Sequence, residues 1–242
     1  MKIYKLLVNG IALIVIIGVV SAGTLKGHVN FDGKGPKPKK VKMGADPVCG
    51  SSHSKPVYSE SFKMAKDGSL AEVLVYLRNV NYKGGVPKKS VVLNQKGCVY
   101  MPHVFGMMRG QTLLIKNSDA TLHNIHSMPK LNKEFNFAMP KVVKEKAIKI
   151  AKPEHAMYIK CDVHPWMKSY ISIFNHPYFS VTDDTGHYQI DNIPPGTYTV
   201  IAWQEKFKNK ETKEWKTLNA TVTIGDGDTG QDFTFVKEAK KK

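Results

Sequence analysis

The sequence predicts an all-β protein built from Greek-key β-sandwiches, and three observations carry that prediction. Its apolar runs are short, rich in β-branched residues and often alternating, as in T-L-L-I-K-N at 112–117 and T-Y-T-V-I-A-W at 197–203. Glycine, proline, asparagine and aspartate separate these runs at turn spacing. No stretch has a convincing 3.6-residue amphipathic period. The best helical candidate is a turn or two within 130–152, where the spacing is poor and proline intrudes.

In chain order, the first 22 residues have the form of an export signal. Lys2 and Lys5 make a positive end, residues 6–20 an apolar stretch, and Val20-Ser21-Ala22 a small-residue cleavage site that would leave Gly23 first. The expected location is therefore periplasmic, extracellular or at the cell envelope. The apolar stretch is short for a spanning helix, and an uncleaved anchor is the alternative. After it, residues 23–95 are read as the first part of a sandwich and 96–176 as a metal-binding segment. Residues 177–236 then close the sandwich, and 237–242 form a basic tail. Further strands are expected at 70–80, 90–95 and 156–161.

The chemistry concentrates at the two ends of 117–173. Cys161, His164 and Met167 fall within seven residues between two strand-like runs, and His123 comes from a separate strand end. One thiolate, two imidazoles and a weak thioether suit both Cu(I) and Cu(II), so the set points to one mononuclear copper ion. Cys161 would supply the thiolate, His123 and His164 the imidazoles, and Met167 the axial sulfur.

At these residues the sequence resembles the cupredoxins, most closely their amicyanin-like and plastocyanin-like blue copper members. C-x-x-H-P-x-M is matched by Cys161, His164, Pro165 and Met167, and H-N-V-H by His123, Asn124, Ile125 and His126. The resemblance spans about 96–174. It implies His123 as ligand and His126 as bystander, with Asn124 hydrogen-bonding across to the ligand loop. It also implies electron exit through His164 on a partly exposed loop, beside an apolar patch that includes Pro165 and Trp166. Two departures stand out: Asp162 puts a charge beside the thiolate, where it is expected to lower the reduction potential, and Lys168 follows the methionine. Seven of the ten methionines lie between 101 and 167, and His103 could stand near the metal.

G-T-L-K-G-H-V-N-F-D-G-K-G-P at 23–36 and V-T-D-D-T-G-H-Y-Q-I-D-N-I-P-P-G-T-Y-T-V-I-A-W at 181–203 resemble the opening and closing parts of a carboxypeptidase-regulatory-like, transthyretin-like sandwich. Asp184-Thr185-Gly186 reads as a hairpin turn and Pro194-Pro195-Gly196 as a strand break. The strand near 73–77 would belong with these, so the copper segment is joined to or inserted in that second sandwich. G-D-G-D-T-G at 225–230 reads as a turn.

In an oxidising compartment Cys49 and Cys98 can pair, which leaves Cys161 as the odd thiol. The competing account gathers Cys49, His53, Cys98 and His103 into a structural metal site.

The net charge of +16 is spread over lysine clusters. Such a surface favours an acidic redox partner, a cytochrome or a dehydrogenase-like protein, or an anionic envelope. Nucleic acid is not expected, because no recognition helix or stacking motif accompanies the lysines. Neither is enzymatic activity: G-x-S-x-G, a phosphate loop, H-E-x-x-H and a second histidine cluster are all missing. The expected function is one-electron transfer. Copper delivery and a structural envelope role are the alternatives.

Overall fold

The structure, a computed structural model, describes residues 21–209 and 211–237. The expected export signal, apart from Ser21 and Ala22, and the basic tail beyond Lys237 lie outside the described residues. Those residues form β-strands joined by turns, and their one α-helix is the five-residue Pro47–Ser51. None of their helices is long and apolar enough to cross a membrane.

The strands make two sandwiches, one inserted in the other. In the inserted one, a five-stranded sheet runs Asn136–Met139, His123–Met128, Glu154–Lys160, Lys168–Phe174, Val104–Met108. It faces a four-stranded sheet ordered Glu145–Lys149, Thr112–Asn117, Val91–Lys96, Val99–Met101. The chain repeatedly crosses from one sheet to the other, which is the Greek-key arrangement. Alternating residues such as Leu113, Ile115, Ile125, Ile159 and Ile171 point inward and are fully buried.

The stretch 130–152, the best of the poor helical candidates, is not helical: Asn136–Met139 and Glu145–Lys149 are strands, paired with His123–Met128 and Thr112–Asn117. Cross-strand partners on both sheets supply what the weak helical spacing could not.

In the outer sandwich, Leu74–Arg78 lies between Phe179–Val181 and Gly196–Trp203, with Leu218–Ile224 beyond. The opposing sheet is built around Gly23–Asp32, which pairs with His187–Ile193 on one side. Its other side holds two short parallel strands, Asp228–Gly230 and Phe233–Val236. The G-D-G-D-T-G segment is thus partly a strand and not simply a turn. The break after it is fixed by Asp232 Oδ1, which accepts from His28 N at 2.7 Å, and by Gln231 N, which donates to Lys26 O at 3.0 Å.

The single strand expected over 70–80 is split at Glu72, whose φ is 59°. Leu70–Ala71 turns back on Lys63–Met64, while Leu74–Arg78 joins the main sheet. The two sandwiches meet through Leu74, Val104, Ala156, Phe174 and Trp203, with Tyr76, Tyr170, Phe179 and Trp215 packed around them. Trp203 has no exposed surface. Truncating a core aromatic of this kind costs about 3–5 kcal/mol, so the junction is a firm one.

Candidate metal centre

His123 opens its strand at one end of the five-stranded sheet, opposite Met139 in the register. Cys161 follows Glu154–Lys160 directly, and the loop returns to Lys168–Phe174. Three backbone N–H groups close that loop: Cys161 N donates to Met167 O (3.2 Å), Met167 N to His164 O (2.9 Å), and His164 N to Cys161 Sγ (3.3 Å). Donor atoms of His123, Cys161 and His164 all lie within 4.8 Å of one another. All three residues are buried, and so is Met167 in the same core.

The imidazoles are aimed by carboxylates. His123 Nε2 lies 2.8 Å from Asp119 Oδ2, and His164 Nε2 lies 3.0 Å from Asp46 Oδ2. A ring that donates its Nε2 proton to a carboxylate presents a lone pair at Nδ1. The two Nδ1 atoms face each other at 2.9 Å, and His164 Nδ1 is 3.9 Å from Cys161 Sγ. Two lone pairs so close in a buried space repel unless a cation or a proton lies between them. Nitrogen and sulfur ligands of a small first-row ion stand roughly 3.3–3.8 Å apart. The spacings here bracket that range, and the donor set fits copper.

The charges around the site favour a positive charge among these donors, which a proton on His123 supplies when no metal ion is bound. Burial works against a charged His123, yet the hydrogen bond to Asp119 and the proximity of Cys161 outweigh it and hold the ring up to about 9. Burial likewise opposes the Cys161 thiolate. The hydrogen bond from His123 and the backbone N–H groups around the sulfur prevail, and the thiol is lowered.

Asp46 and Asp119 were not singled out in the sequence, and local geometry explains their placement. Asp46 caps the short helix, its Oδ1 accepting from Val48 N (2.8 Å) and Cys49 N (3.2 Å) with Pro47 at the first helical position. Its Oδ2 takes Thr121 Oγ1 at 2.9 Å beside His164. Burial opposes its charge, but these hydrogen bonds hold it down at about 2. Asp119 accepts from Gly97 N (2.7 Å) and Cys98 N (2.8 Å), in a two-residue hairpin turn where both residues have positive φ. The D-P pair before Cys49 and the spacing of Asp119 four residues before His123 were the available signals.

Cys49 and Cys98 form a disulfide. It staples the Asp46–Cys49 segment over the site, with Cys49 Sγ 3.7 Å from His164 Nε2. His164 is consequently 2% exposed, although the loop that carries it is partly exposed at Asp162, Val163 and Pro165. The alternative cluster of Cys49, His53, Cys98 and His103 does not assemble. His53 Nε2 lies 2.6 Å from Gly97 O, and His103 pairs with Glu205 at 3.0 Å beside the sandwich junction, away from the candidate ligands.

Asn124 reaches the loop, its Oδ1 accepting from Asp162 N at 2.6 Å. His126 sits between Asp162 (2.7 Å) and Glu134 (2.9 Å), outside the donor cluster. The Asp162 carboxylate turns to Lys160 and His126 and not to the thiolate; these partners, Lys160 foremost, hold it far below the usual carboxylate range. The charge next to Cys161 in sequence is thus shared with Lys160 and His126. Trp166 is half-buried, its Nε1 donating to Cys98 O at 2.9 Å and its ring 5.0 Å from that of His164. Pro165 and Trp166 both border a cleft on the outer side of the loop.

Known proteins resemble this chain over parts of its length. A family model described as polysaccharide lyase family 4, domain II, matches residues 162–231. A copper-containing nitrite reductase from Thermus scotoductus SA-01 aligns at 22% identity and TM-score 0.31, over 40% of this chain and 25% of that one. The chain thus spans a quarter of that protein's length. A reduced-state amicyanin mutant aligns at 18% identity and TM-score 0.32, over 37% of this chain and 86% of that one. A Cu(I) amicyanin mutant gives 15% identity and 0.31, over 41% and 98%. No curated protein matches the chain.

Proposed function

We propose that this is an exported copper protein in which His123, Cys161 and His164 hold one copper ion, with Met167 as axial thioether, and that it carries single electrons. The supporting observation is the meeting of two carboxylate-anchored imidazoles, nitrogen to nitrogen, beside a buried thiolate. Copper bound there would supply a one-electron couple. The protein's part is to keep ligand movement small between the two charge states. Asp46 and Asp119 fix the histidine tautomers, the closed loop fixes Cys161, and the stapled segment 46–49 excludes water. Because His164 is covered, we place electron exchange at the Pro165–Trp166 side, where a lysine-rich surface suits an acidic redox partner.

The second sandwich, which we read as carboxypeptidase-regulatory-like, serves as a scaffold; no enzymatic activity is proposed for it. One feature favours a second reading, copper holding and delivery: the buried sulfurs of Cys161 and Met167 are soft donors that suit Cu(I). The test is the visible spectrum of purified protein with one equivalent of Cu(II), beside Cys161→Ser. An intense thiolate-to-copper band that vanishes in the variant, with reversible cycling at one potential, is the expected result. A colourless protein that binds only Cu(I) selects copper delivery, and one that binds no copper overturns both readings.

A further inference from the structure

Residues 39–42 and 57–61, which flank the segment that covers His164, wall a cleft of about 600 Å³ on the outer face of the ligand loop. One wall is a two-stranded ladder in which Val41 N donates to Val57 O (2.9 Å) and Ser59 N to Lys39 O (2.9 Å). The floor is apolar and aromatic, made by Val99, Tyr100, Pro165, Trp166 and Met167. The rim carries Lys39, Lys40, Lys42, Lys168 and Lys206, against Glu60 as the single lining carboxylate. Lys168 is already paired with the buried Glu205. Among the described residues, none of Lys39, Lys40, Lys42 and Lys206 forms an ion pair.

The volume lies in the range of small-molecule sites, and an apolar floor with convergent polar groups is their usual composition. A protein partner would lie across such a rim and leave the floor unfilled. A small ligand reaches Trp166, whose ring is available to stack because its Nε1 is fixed on Cys98 O. Uncompensated lysines around a low-dielectric floor favour an anion.

We propose that this cleft binds a small anionic aromatic molecule, its ring against Trp166 and its charged group among Lys39, Lys40 and Lys42. The site goes beyond the copper reading and does not depend on a bound metal. It sets a ligand one aromatic ring away from His164, so occupancy would be felt at the ligand loop.

The experiment is isothermal titration of the full-length protein, metal-free, with naphthalene-2-sulfonate. We expect one saturable site per chain, weakened at least tenfold by Lys40→Glu with Lys42→Glu, and at least tenfold by Trp166→Ala but not by Trp166→Phe. Lys34→Glu is the control, because Lys34 lines a neighbouring groove with Phe31, Phe62 and Phe207, which shares only Lys206 with the cleft. Unchanged binding by Cys161→Ser is expected, so a failed copper reading leaves this one standing. No saturable binding, binding lost with Lys34→Glu but kept with the Lys40 and Lys42 changes, or equal affinity for the neutral 2-methylnaphthalene would each overturn it.

Discussion

His164 Nε2 lies 3.0 Å from Asp46 Oδ2, across 118 residues of sequence. The ring nitrogen facing away from the candidate metal position is therefore held by a carboxylate and not by solvent. The same carboxylate caps the helix that carries Cys49, so ligand orientation, helix start and disulfide form one unit.

Asp46→Asn should weaken copper binding by about 10–100-fold, the usual cost of losing a partner behind a ligating histidine. The amide can still cap the helix, so the fold should survive. Competition against a chelator measures this, and an affinity equal to wild type would count against the orienting role.

Replacing Cys49 and Cys98 together by serine removes a link across a sequence separation of 49. The chain-entropy account puts its stabilisation at about 4 kcal/mol, and denaturant unfolding should show a loss of that order. Chelators should also strip copper faster from the variant, because the cover over His164 is released. Equal stripping rates would mean that the staple does not control access.

Glu72 is half-buried at the sandwich junction, where its carboxylate accepts from Val104 N at 3.1 Å. Burial pushes it up to about 7 from 4.5, with His103 working the other way. The folded state then binds more protons than the unfolded one between about pH 4.5 and 7, so stability falls as pH rises through that window. Glu72→Gln should be more stable than wild type by about 1 kcal/mol at pH 8, a figure discounted for solvent access, and equal to it at pH 4. Thermal unfolding at the two pH values decides.

His155 and His176 behave in the opposite sense. Burial, aided at His155 by Arg78 and Lys130, pushes both down to about 4 from 6.5. The unfolded chain binds more protons between pH 6.5 and 4, so stability is lost as pH falls through that range. His155 Nε2 has no hydrogen-bond partner, and its ring stands 5.4 Å from Trp203. His155→Phe should flatten the acid loss measured between pH 7.5 and 5. An unaltered slope would locate the acid sensitivity elsewhere.

Much of this was legible in order along the chain. Alternation at 112–117 gave a strand with those bounds, because inward residues Leu113 and Ile115 recur every second position. Cys161, His164 and Met167 stand close in sequence and so stand close in space, with no long-range contact needed. Other features were not legible. The strands at 136–139 and 145–149 owe their form to pairing with 123–126 and 112–116, which their own weak patterns do not encode. The split at Glu72 serves a contact with Val104 of the other sandwich.

The sequence by itself determined the all-β class and set Cys161, His164 and Met167 together in one short loop, because periodicity and sequence spacing are local properties; that one sandwich is inserted in the other was decided by the strand pairing. Only the tertiary structure decided that Asp46 stands behind His164 and that His164 is covered. Those facts depend on a segment 46–49 folding back over residues more than a hundred positions away, and on packing that no local pattern encodes.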